Sequence, residues 1–412
     1  MLVRVTFRHG PAAGDAQEFR ELVASSGTAA VAWVEAVRET PDSHTFVGSG
    51  KAGEIARAVR ERHADVVLFD HALSPAQVRN LERICACRVV DRTQLILDIF
   101  AQRARSHEGK LQVELAQLTY LSARLVRGWT HLERQKGGIG LRGPGEKQLE
   151  SDRRLIAGRI QQIRRRLEKV RNRREQGRRA RRRSQVPTVA LVGYTNAGKS
   201  TLFNRLTDAG VYVADQLFAT LDPTLKRFVL PGGGSVVLAD TVGFVRQLPH
   251  DLVAAFHATL QETREADLLL HVVDASDPRH DETVDHVREV LEEIGAEGVP
   301  QVLVYNKIDR AGWPARLERD EGGRVRAAAL SAATGEGVEA LRRALGEWFE
   351  GEIRRCWVDL GPEEGRLRSQ LFALGAVRRD EPRATGGWRM EVELPRRRFD
   401  RLLRSQDPSA AR

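Results

Sequence analysis

Apolar residues in the first quarter of the chain fall into short runs that alternate with helical patterns. The runs at 29–34 and 65–69 predict strands, and apolar periods near 3.6 residues predict helices at 53–62, 75–84 and 93–105. Strands that alternate with helices are typical of an α/β fold, in which helices cover a sheet. We therefore predict an N-terminal α/β domain over residues 1–108.

The next part of the chain carries two apolar seams whose members are spaced by four and three residues. The first seam includes Leu111, Leu115, Leu118, Leu125 and Leu132, and the second includes Ile156, Ile160, Ile163, Leu167 and Val170. Seams of this kind, separated by a loop, predict two long antiparallel helices that pack as a short coiled coil. The segment 109–184 is therefore predicted to be a helical hairpin.

Two stretches of the hairpin depart from helical patterning. Residues 137–146 are rich in glycine and form a loop longer than two helices require, which favours a functional tip. Residues 177–184 are predicted to be a basic linker that leads into the next domain.

Five apolar runs follow, each short enough to be a buried strand. They lie at 188–192, 235–240, 267–273, 301–305 and 325–330, and they predict a doubly wound sheet within a domain spanning 185–349. Residues 350–412 make a small α+β module with an alternating strand at 387–394. The predicted fold class is thus α/β: an N-terminal α/β domain with a long helical hairpin, a P-loop domain with a doubly wound sheet, and a small α+β C-terminal module.

Charge is concentrated in one segment of the chain. Residues 151–184 carry fourteen arginines and one lysine against three acidic residues, a net +12, whereas the whole chain of 412 residues carries +10. Such a block indicates a polyanionic partner, RNA or DNA, although a solvated charged helix is the alternative. The predicted RNA-binding residues are Arg142 of the tip loop and Arg153, Arg154, Arg164, Arg165, Arg166, Arg178 and Arg179 of the second helix.

Composition excludes several classes of protein. The chain has no apolar run after a basic start and no uninterrupted apolar span near twenty residues, so we expect neither secretion nor a membrane span. Its three cysteines have no metal-binding spacing, which favours reduced thiols. We expect a cytoplasmic monomer.

The segment 193–200 has the spacing of a phosphate-binding P-loop between a predicted strand and a predicted helix. Glycines at its ends let backbone N–H groups turn toward phosphate oxygens, and the helix N-terminus behind them favours an anion. We expect Lys199 to reach the β- and γ-phosphates and the Ser200 hydroxyl to bind Mg²⁺. The predicted phosphate-binding residues are Gly193, Thr195, Asn196, Ala197, Gly198, Lys199, Ser200 and Thr201.

A second motif, Asp240-Thr-Val-Gly243, ends the strand predicted at 235–240. Asp240 is expected to hold Mg²⁺ through water, and the Gly243 N–H to sense the γ-phosphate. Thr220 is the expected hydroxyl ligand of Mg²⁺ from the first switch segment, with Thr224 as the alternative. The predicted catalytic residues are Lys199, Thr220 and Gly243, and the predicted metal ligands are Ser200, Thr220 and Asp240.

Base identity depends on the motif Asn306-Lys307-Ile308-Asp309. Asp309 can accept two hydrogen bonds from N1–H and the exocyclic amine of guanine, which adenine does not offer. Asn306 and Lys307 support the base, and the backbone of Ser331 and Ala332 contacts guanine O6. A base that leaves buried groups unpaired is bound several kcal/mol more weakly, about 10⁴-fold discrimination. The sequence therefore predicts GTP or GDP with Mg²⁺ at this site.

Phe244 follows Gly243 at the position where many small GTPases carry a glutamine that orients the attacking water. A phenyl ring cannot hydrogen-bond to water in that way, so unaided hydrolysis is expected to be slow. Some other group or a partner must complete the site.

In these motifs the chain resembles the HflX family of ribosome-associated GTPases. The resemblance rests on Arg142-Gly-Pro-Gly-Glu-Lys-Gln-Leu-Glu150, Ser151-Asp-Arg-Arg154, Asp240-Thr-Val-Gly-Phe244 and the segment 252–263. It implies binding to the large (50S) ribosomal subunit and its 23S rRNA, with the hairpin loop 137–145 directed toward the peptidyl transferase region. It also implies stimulation of GTP hydrolysis by that subunit, separation of stalled or idle ribosomes into subunits, and recovery from heat stress.

Two other functions compete with this interpretation. The chain can be an RNA-binding or rRNA-remodelling factor in large-subunit assembly whose nucleotide only stabilises the protein. It can also be a metabolic or tRNA-modifying GTPase with a catalytic cluster in the N-terminal domain. The second alternative is the weaker, because His9, His63 and His71 show no metal-binding spacing.

Overall fold

The architecture was derived from a computed structural model of the chain. It describes residues 1–8, 16–128, 144–183, 186–208, 217–231, 235–245, 257–350, 353–383, 386–395 and 402. Over these residues the chain forms an α/β sheet, a helical pair, a second and larger sheet, and a small antiparallel sheet. No helix among them is both long and apolar enough to cross a membrane.

The N-terminal unit is a four-stranded parallel sheet in the order β2-β1-β3-β4. Its strands are β1 (Leu2–Phe7), β2 (Trp33–Arg38), β3 (Val66–Phe69) and β4 (Arg88–Val90), and its helices are α1 (Ala16–Ser25), α2 (Ser49–Arg62), α3 (Pro75–Cys85) and α4 (Arg92–Arg103). The three predicted helices are present, whereas β1, α1 and β4 were not predicted.

The strand predicted at 29–34 was placed too early. In the structure β2 begins at Trp33, and its burial alternates, with Val34 and Ala36 inside and Glu35 and Val37 outside. This strand lies at the edge of the sheet with one face in solvent, so its signal is alternation rather than a continuous apolar run.

Two helices follow, α5 (His107–Gly128) and α6 (Pro144–Arg183). Arg159 of α6 contacts Glu114 of α5 at 2.7 Å, and these positions are symmetric about the connection, as an antiparallel pair requires. Ile163 is fully buried in the seam. The predicted basic linker at 177–184 was wrong, because α6 continues through Gly177 to Arg183. One glycine costs a helix about 1 kcal/mol relative to alanine, and the arginines around it are good helix formers.

The largest sheet has seven strands in the order β10-β11-β9-β8-β5-β7-β6. The five central strands are parallel: β5 (Thr188–Val192), β7 (Ser235–Asp240), β8 (Leu268–Asp274), β9 (Gln301–Asn306) and β11 (Val325–Ala329). Each coincides with a predicted strand to within one residue at either end. The antiparallel edge strands β6 (Thr224–Val229) and β10 (Arg316–Arg319) were not predicted. Their exposed polar residues hide the alternation from a search for apolar runs.

Helices flank both faces of this sheet, and a small module follows it. The helices are α7 (Lys199–Thr207), α8 (His257–Arg264), α9 (His280–Glu293), α10 (Ile308–Ala311) and α11 (Val338–Glu350). The module pairs β12 (Ile353–Leu360), β14 (Trp388–Pro395) and β13 (Val377–Pro382) antiparallel, with α12 (Gly365–Ala373) against one face. Its core is built from Leu360, Leu371, Met390 and Val392.

Candidate nucleotide-binding site

The loop between β5 and α7 is held in shape by two glycines. Gly193 and Gly198 have positive φ angles of 141° and 93°. A Cβ atom at Gly193 would collide with the Val272 carbonyl oxygen, and one at Gly198 with the side-chain amide of Asn306. Only glycine allows this approach, so the loop curls tightly at the N-terminus of α7, where backbone N–H groups attract anions.

Lys199, the first residue of α7, is buried at the base of this loop. Its ammonium donates to the carbonyl oxygens of Gly193 at 3.1 Å and Tyr194 at 2.7 Å. Burial lowers the pKa of Lys199 to about 8, and the nearby Asp240 carboxylate opposes that shift. A phosphate placed in the loop would stabilise the charged form of the side chain.

Three oxygen-bearing side chains from distant parts of the chain meet beside the loop. Ser200 Oγ and Thr220 Oγ1 lie 2.7 Å apart, and both contact Asp240 Oδ2, at 2.7 and 3.0 Å. Burial raises the pKa of Asp240, against the opposing effects of the Ser200 hydrogen bond and the Lys199 charge. Thr224, the alternative to Thr220, lies in β6 opposite Asp240 in the backbone register.

This cluster fits a magnesium ion. Asp240 is completely buried, and its second oxygen, Oδ1, has no hydrogen-bond partner among the described residues. A buried acceptor without a partner is costly unless a cation or an ordered water satisfies it. Hydroxyl and carboxylate oxygens are the ligands that Mg²⁺ prefers, usually with several retained waters.

The segment that follows β7 forms backbone hydrogen bonds with the P-loop. Phe244 donates its N–H to the Gly193 carbonyl oxygen at 3.1 Å, and its own carbonyl accepts the Thr195 N–H at 2.8 Å. These bonds hold Gly243 against the loop, where a Cβ atom would lie 2.7 Å from Thr195 Cγ2 and 2.9 Å from Lys199 Nζ. The Phe244 ring is 2% exposed and belongs to an apolar cluster. Position 244 therefore supplies no polar side-chain group to the site.

At the opposite end of the site, Asn306 joins two loops. Its side-chain amide donates to the Ala197 carbonyl oxygen at 2.9 Å and accepts the Ala332 N–H at 2.8 Å. Lys307 pairs with Asp274 at 2.7 Å, which holds its aliphatic stem in place. The Ser331 hydroxyl accepts the Thr334 N–H at 3.2 Å and shapes the turn that follows β11.

A cavity of about 250 Å³ connects these groups. Of the predicted residues, twelve line it: Thr195, Asn196, Gly198, Lys199, Ser200, Thr201, Thr220, Gly243, Asn306, Lys307, Asp309 and Ser331. The other four predicted residues do not line the cavity and contribute through the hydrogen bonds described above: Gly193, Ala197, Asp240 and Ala332. Five further lining residues were not predicted: Phe218, Ala219, Thr241, Arg310 and Ala333. Four of them adjoin a predicted residue in the sequence and Phe218 lies two positions from Thr220, and that proximity was the only available signal.

The predicted RNA-binding arginines are distributed unevenly. Arg154, Arg164, Arg165 and Arg166 are exposed on α6, whereas Arg153 is half-buried. Arg178 and Arg179 lie in the helix, but their side chains, like all of Arg142, lie outside the described residues. Among the described residues, no group of three or more His, Cys, Asp or Glu side chains is arranged to hold a metal.

The doubly wound sheet, the P-loop at the carboxyl end of β5 and the Asn-Lys-x-Asp motif at the carboxyl end of β9 define a P-loop GTPase. Comparison with known families agrees with this class. Residues 188–307 match the family described as 50S ribosome-binding GTPase, residues 14–101 match GTP-binding GTPase N-terminal, and residues 103–181 match GTP-binding GTPase Middle Region.

Similar proteins extend the match over almost the whole chain. GTPase HflX of Escherichia coli (strain K12) is 58% identical over 410 residues, which cover 99% of this chain and 96% of that protein. GTPase HflX of Magnetococcus marinus is 56% identical over 81% of this chain and 77% of its own length. The chain belongs to the HflX family of ribosome-associated GTPases.

Solved structures include a GTP-binding protein from Sulfolobus solfataricus in complex with GDP. It is 23% identical, with a TM-score of 0.44 over 84% of this chain and 98% of that chain.

Proposed function

We propose that this GTPase binds the large (50S) ribosomal subunit through 23S rRNA, hydrolyses GTP there, and separates stalled or idle ribosomes into subunits during stress recovery. The observation that carries the proposal is the cluster of Ser200, Thr220 and Asp240 beside a P-loop, joined by one cavity to Asp309. Family membership supports a ribosomal partner. With such a partner, we expect the protein to act in the cytoplasm, as a monomer.

The described residues have distinct roles in this proposal. The P-loop N–H groups and Lys199 bind the phosphates, and the Gly243 N–H reports on the γ-phosphate. Ser200 and Thr220 would bind Mg²⁺ directly, and Asp240 through water. When bound there, Mg²⁺ would supply positive charge that offsets the charge developing on the phosphates. Asp309 selects guanine by accepting hydrogen bonds that adenine cannot donate.

The buried Phe244 ring supports the part of the proposal in which a partner completes the site. The phenyl ring at this position cannot hydrogen-bond to the attacking water, so we expect slow hydrolysis by the protein alone. Saturating large subunits are expected to raise the GTPase rate about tenfold or more, because completing such a site has effects of this order or greater. A rate unchanged by saturating subunits would contradict the proposal. Lys199→Ala should abolish the stimulated activity, whereas Lys226→Ala, at an exposed position of β6, should not.

The exposed arginines of α6 support rRNA as the partner. Arg164, Arg165 and Arg166 are consecutive exposed residues of α6, so their guanidinium groups are accessible to phosphates. Removing one arginine–phosphate contact should reduce the slope of log affinity against log salt by about 0.7 to 0.9. Replacing all three with glutamine is therefore expected to flatten the salt dependence of 50S binding. An unchanged slope would exclude these residues from the interface.

The same helix also favours a second candidate, an RNA-binding or remodelling factor for which nucleotide only stabilises the fold. The two functions differ in how nucleotide affects binding. A switch binds ribosomes differently with GDP and with a non-hydrolysable GTP analogue, because only the latter orders Thr220 and Gly243 through the γ-phosphate. Sedimentation with ribosomes under GTP analogue, GDP and no nucleotide separates them. Equal binding in all three states would favour the second candidate.

A further inference from the structure

The segment that carries Thr220 is attached to the base of the helical hairpin. The Asp222 carboxylate accepts the Arg105 N–H at 3.0 Å, the Ser106 N–H at 2.7 Å, and a hydrogen bond from the Ser106 hydroxyl. The Ser106 Oγ in turn accepts the Gly109 N–H at 2.8 Å in the first turn of α5. Asp222 and Ser106 therefore cap this helix together, and a carboxylate at a helix N-terminus is also favoured by the helix dipole.

The same segment is buried against the N-terminal domain on its other side. Ser25 Oγ accepts the Leu217 N–H at 3.0 Å, and the ring of Phe100 packs edge-on against Phe218 with centroids 4.5 Å apart. Leu217, Phe218 and Leu221 are each 2% exposed and belong to the apolar cluster that contains Phe100. Residues 217–222 are thus held in part by groups outside the GTPase domain.

The backbone of this segment requires such support. Phe218 has φ of 57°, in the left-handed region that a bulky side chain rarely adopts. A conformation of this kind persists only where the surroundings determine it. Because Phe218 and Asp222 flank Thr220 by two residues on either side, the location of the Thr220 hydroxyl depends on contacts with α4 and the start of α5.

We propose that Asp222 is a positioning residue that links the Thr220 hydroxyl to the N-terminus of α5. When Asp222 caps the helix, Thr220 is held beside Ser200 and Asp240. When the cap is lost, Thr220 loses that position, and Mg²⁺-dependent binding of GTP weakens. Linkage is reciprocal, so GTP bound at the site stabilises the cap and the first turn of the hairpin. The inference rests on the proposed role of Thr220 at the nucleotide.

Gly109 offers a way to disturb this link from the hairpin side. A Cβ atom at Gly109 would overlap Asp222 Oδ1 and lie 3.1 Å from Asp222 Cγ and 3.2 Å from Ser106 Oγ. The Asp222 carboxylate would have to rotate away. Alanine is otherwise a better helix former than glycine, so Gly109→Ala does not weaken α5 by propensity. Gly53→Ala in α2 is the matched control, because a Cβ atom there meets nothing within 4 Å.

The experiment measures binding of a fluorescent, non-hydrolysable GTP analogue and of GDP to the full-length protein, with and without Mg²⁺. We expect Gly109→Ala and Asp222→Ala to weaken Mg²⁺-dependent binding of the GTP analogue about tenfold, the effect of losing one charge-assisted capping interaction. GDP binding without Mg²⁺ should change less than about twofold, since it does not use the Thr220 hydroxyl. Gly53→Ala should bind the GTP analogue with the affinity of the wild type. Asp222→Asn, which keeps an acceptor oxygen, should have an affinity between those of the wild type and Asp222→Ala.

Amide hydrogen exchange supplies a readout that does not require GTP hydrolysis by the Mg²⁺-bound protein. In the wild type, the GTP analogue should slow exchange at 106–112 relative to GDP, and Gly109→Ala should remove this difference. The double variant Gly109→Ala/Asp222→Ala should be no weaker than either single variant, because both remove one interaction. Additive losses, or GTP-analogue affinities equal to the wild type in both single variants, would overturn the inference.

Thr220→Ala separates the inference from the function on which it rests. If Thr220→Ala binds the GTP analogue with wild-type affinity, the proposed role of Thr220 is wrong, and the proposed coupling between Asp222 and Thr220 is wrong as well. If Thr220→Ala weakens binding while Asp222→Ala and Gly109→Ala do not, only the link is wrong. Melting temperatures within a few degrees of the wild type are required of each variant. Gly109→Ala decides the outcome if Asp222→Ala fails to fold.

Discussion

Asn306 donates its side-chain amide to the Ala197 carbonyl oxygen at 2.9 Å, so a residue of the guanine motif supports the phosphate loop. The same side chain accepts the Ala332 N–H at 2.8 Å. One buried amide therefore joins three segments of the nucleotide site, although Asn306 and Ala197 are 109 residues apart in the chain.

Asn306→Ala is expected to weaken GTP and GDP equally, because the support it provides does not depend on the γ-phosphate. The substitution leaves the Ala197 carbonyl and the Ala332 N–H unpaired, and each buried orphan costs about 1–3 kcal/mol. We expect a loss of about 30-fold or more in affinity for both nucleotides. Isothermal titration of both nucleotides measures the two affinities, with Asn80→Ala, a half-buried amide of α3 that does not line the cavity, as the control. A selective loss of GTP alone would contradict this assignment.

Asp309→Asn is expected to shift the preference of the site from guanosine toward xanthosine nucleotides. An amide can donate a hydrogen bond where the carboxylate accepted one, and the oxygen at position 2 of xanthine is an acceptor. Competition between GDP, xanthosine diphosphate and ADP for a fluorescent nucleotide measures the change. Asp281→Asn, an exposed carboxylate in the first turn of α9, should keep the wild-type order. Retained guanosine preference in Asp309→Asn would mean that another group reads the base.

Nucleotide affinity should depend on pH through Lys199, whose pKa burial lowers to about 8. Above that pH the free protein holds a neutral amine, whereas bound phosphate favours the ammonium, so binding takes up a proton. Affinity for GDP is therefore expected to be level below about pH 7 and to fall up to about tenfold per pH unit above pH 8.

Calorimetric titration of GDP between about pH 7 and pH 9, in buffers of different ionisation enthalpy, measures both the affinity and the proton uptake. Lys226→Ala should reproduce the wild-type profile, because that exposed side chain is remote from the cavity. A flat profile, or proton release at high pH, would show that Lys199 is charged in the free protein throughout this range.

Arg92→Met is expected to destabilise the protein strongly. Arg92 is 3% exposed and pairs with two buried carboxylates, Glu18 and, at 2.6 Å, Asp70. Removing one partner of a buried ionic network costs about 3–5 kcal/mol, whereas Arg288→Met at the exposed pair with Asp285 should cost about 1 kcal/mol or less. Urea unfolding at neutral pH measures both.

The defect of Arg92→Met should depend on pH in a defined direction. Burial already raises the pKa of Asp70 to about 6, and Arg92 opposes that rise. Without Arg92 the folded-state pKa rises further, so the folded protein binds more protons than the unfolded chain, and stability falls as pH increases through this range. The variant should therefore lose more stability at about pH 7.5 than at about pH 5. The opposite trend would contradict the role of Arg92 as the counter-charge.

Tyr194 of the P-loop connects this network to the nucleotide site, because its hydroxyl donates to Glu18. No role for Glu18 or Arg92 was predicted from the sequence. An arginine at the start of a predicted helix carries no sign that it will be buried between two carboxylates. Its partners are 74 and 22 residues away, and only the packing of α1 against the P-loop encloses all of them.

The central strands of the large sheet were predictable because each is a continuous apolar run, and three of them lead directly into a functional motif. The edge strands β2, β6 and β10 were misplaced or missed, because a half-exposed strand shows alternation that is easily read as loop. The predicted linker at 177–184 failed for a related reason, since one glycine is a weak signal against a run of helix-forming arginines.

The chain's local chemistry determined the P-loop, the guanine motif and the basic helix, because each depends on residues that are adjacent in sequence or share one helix. Long-range packing alone decided that Thr220 rather than Thr224 faces Ser200, and that Asp222 caps a helix 116 residues earlier. A carboxylate gains such partners only when two domains bury a common apolar cluster. The free energy of that burial depends on contacts between segments that are distant in sequence, so it cannot be inferred from any short segment alone.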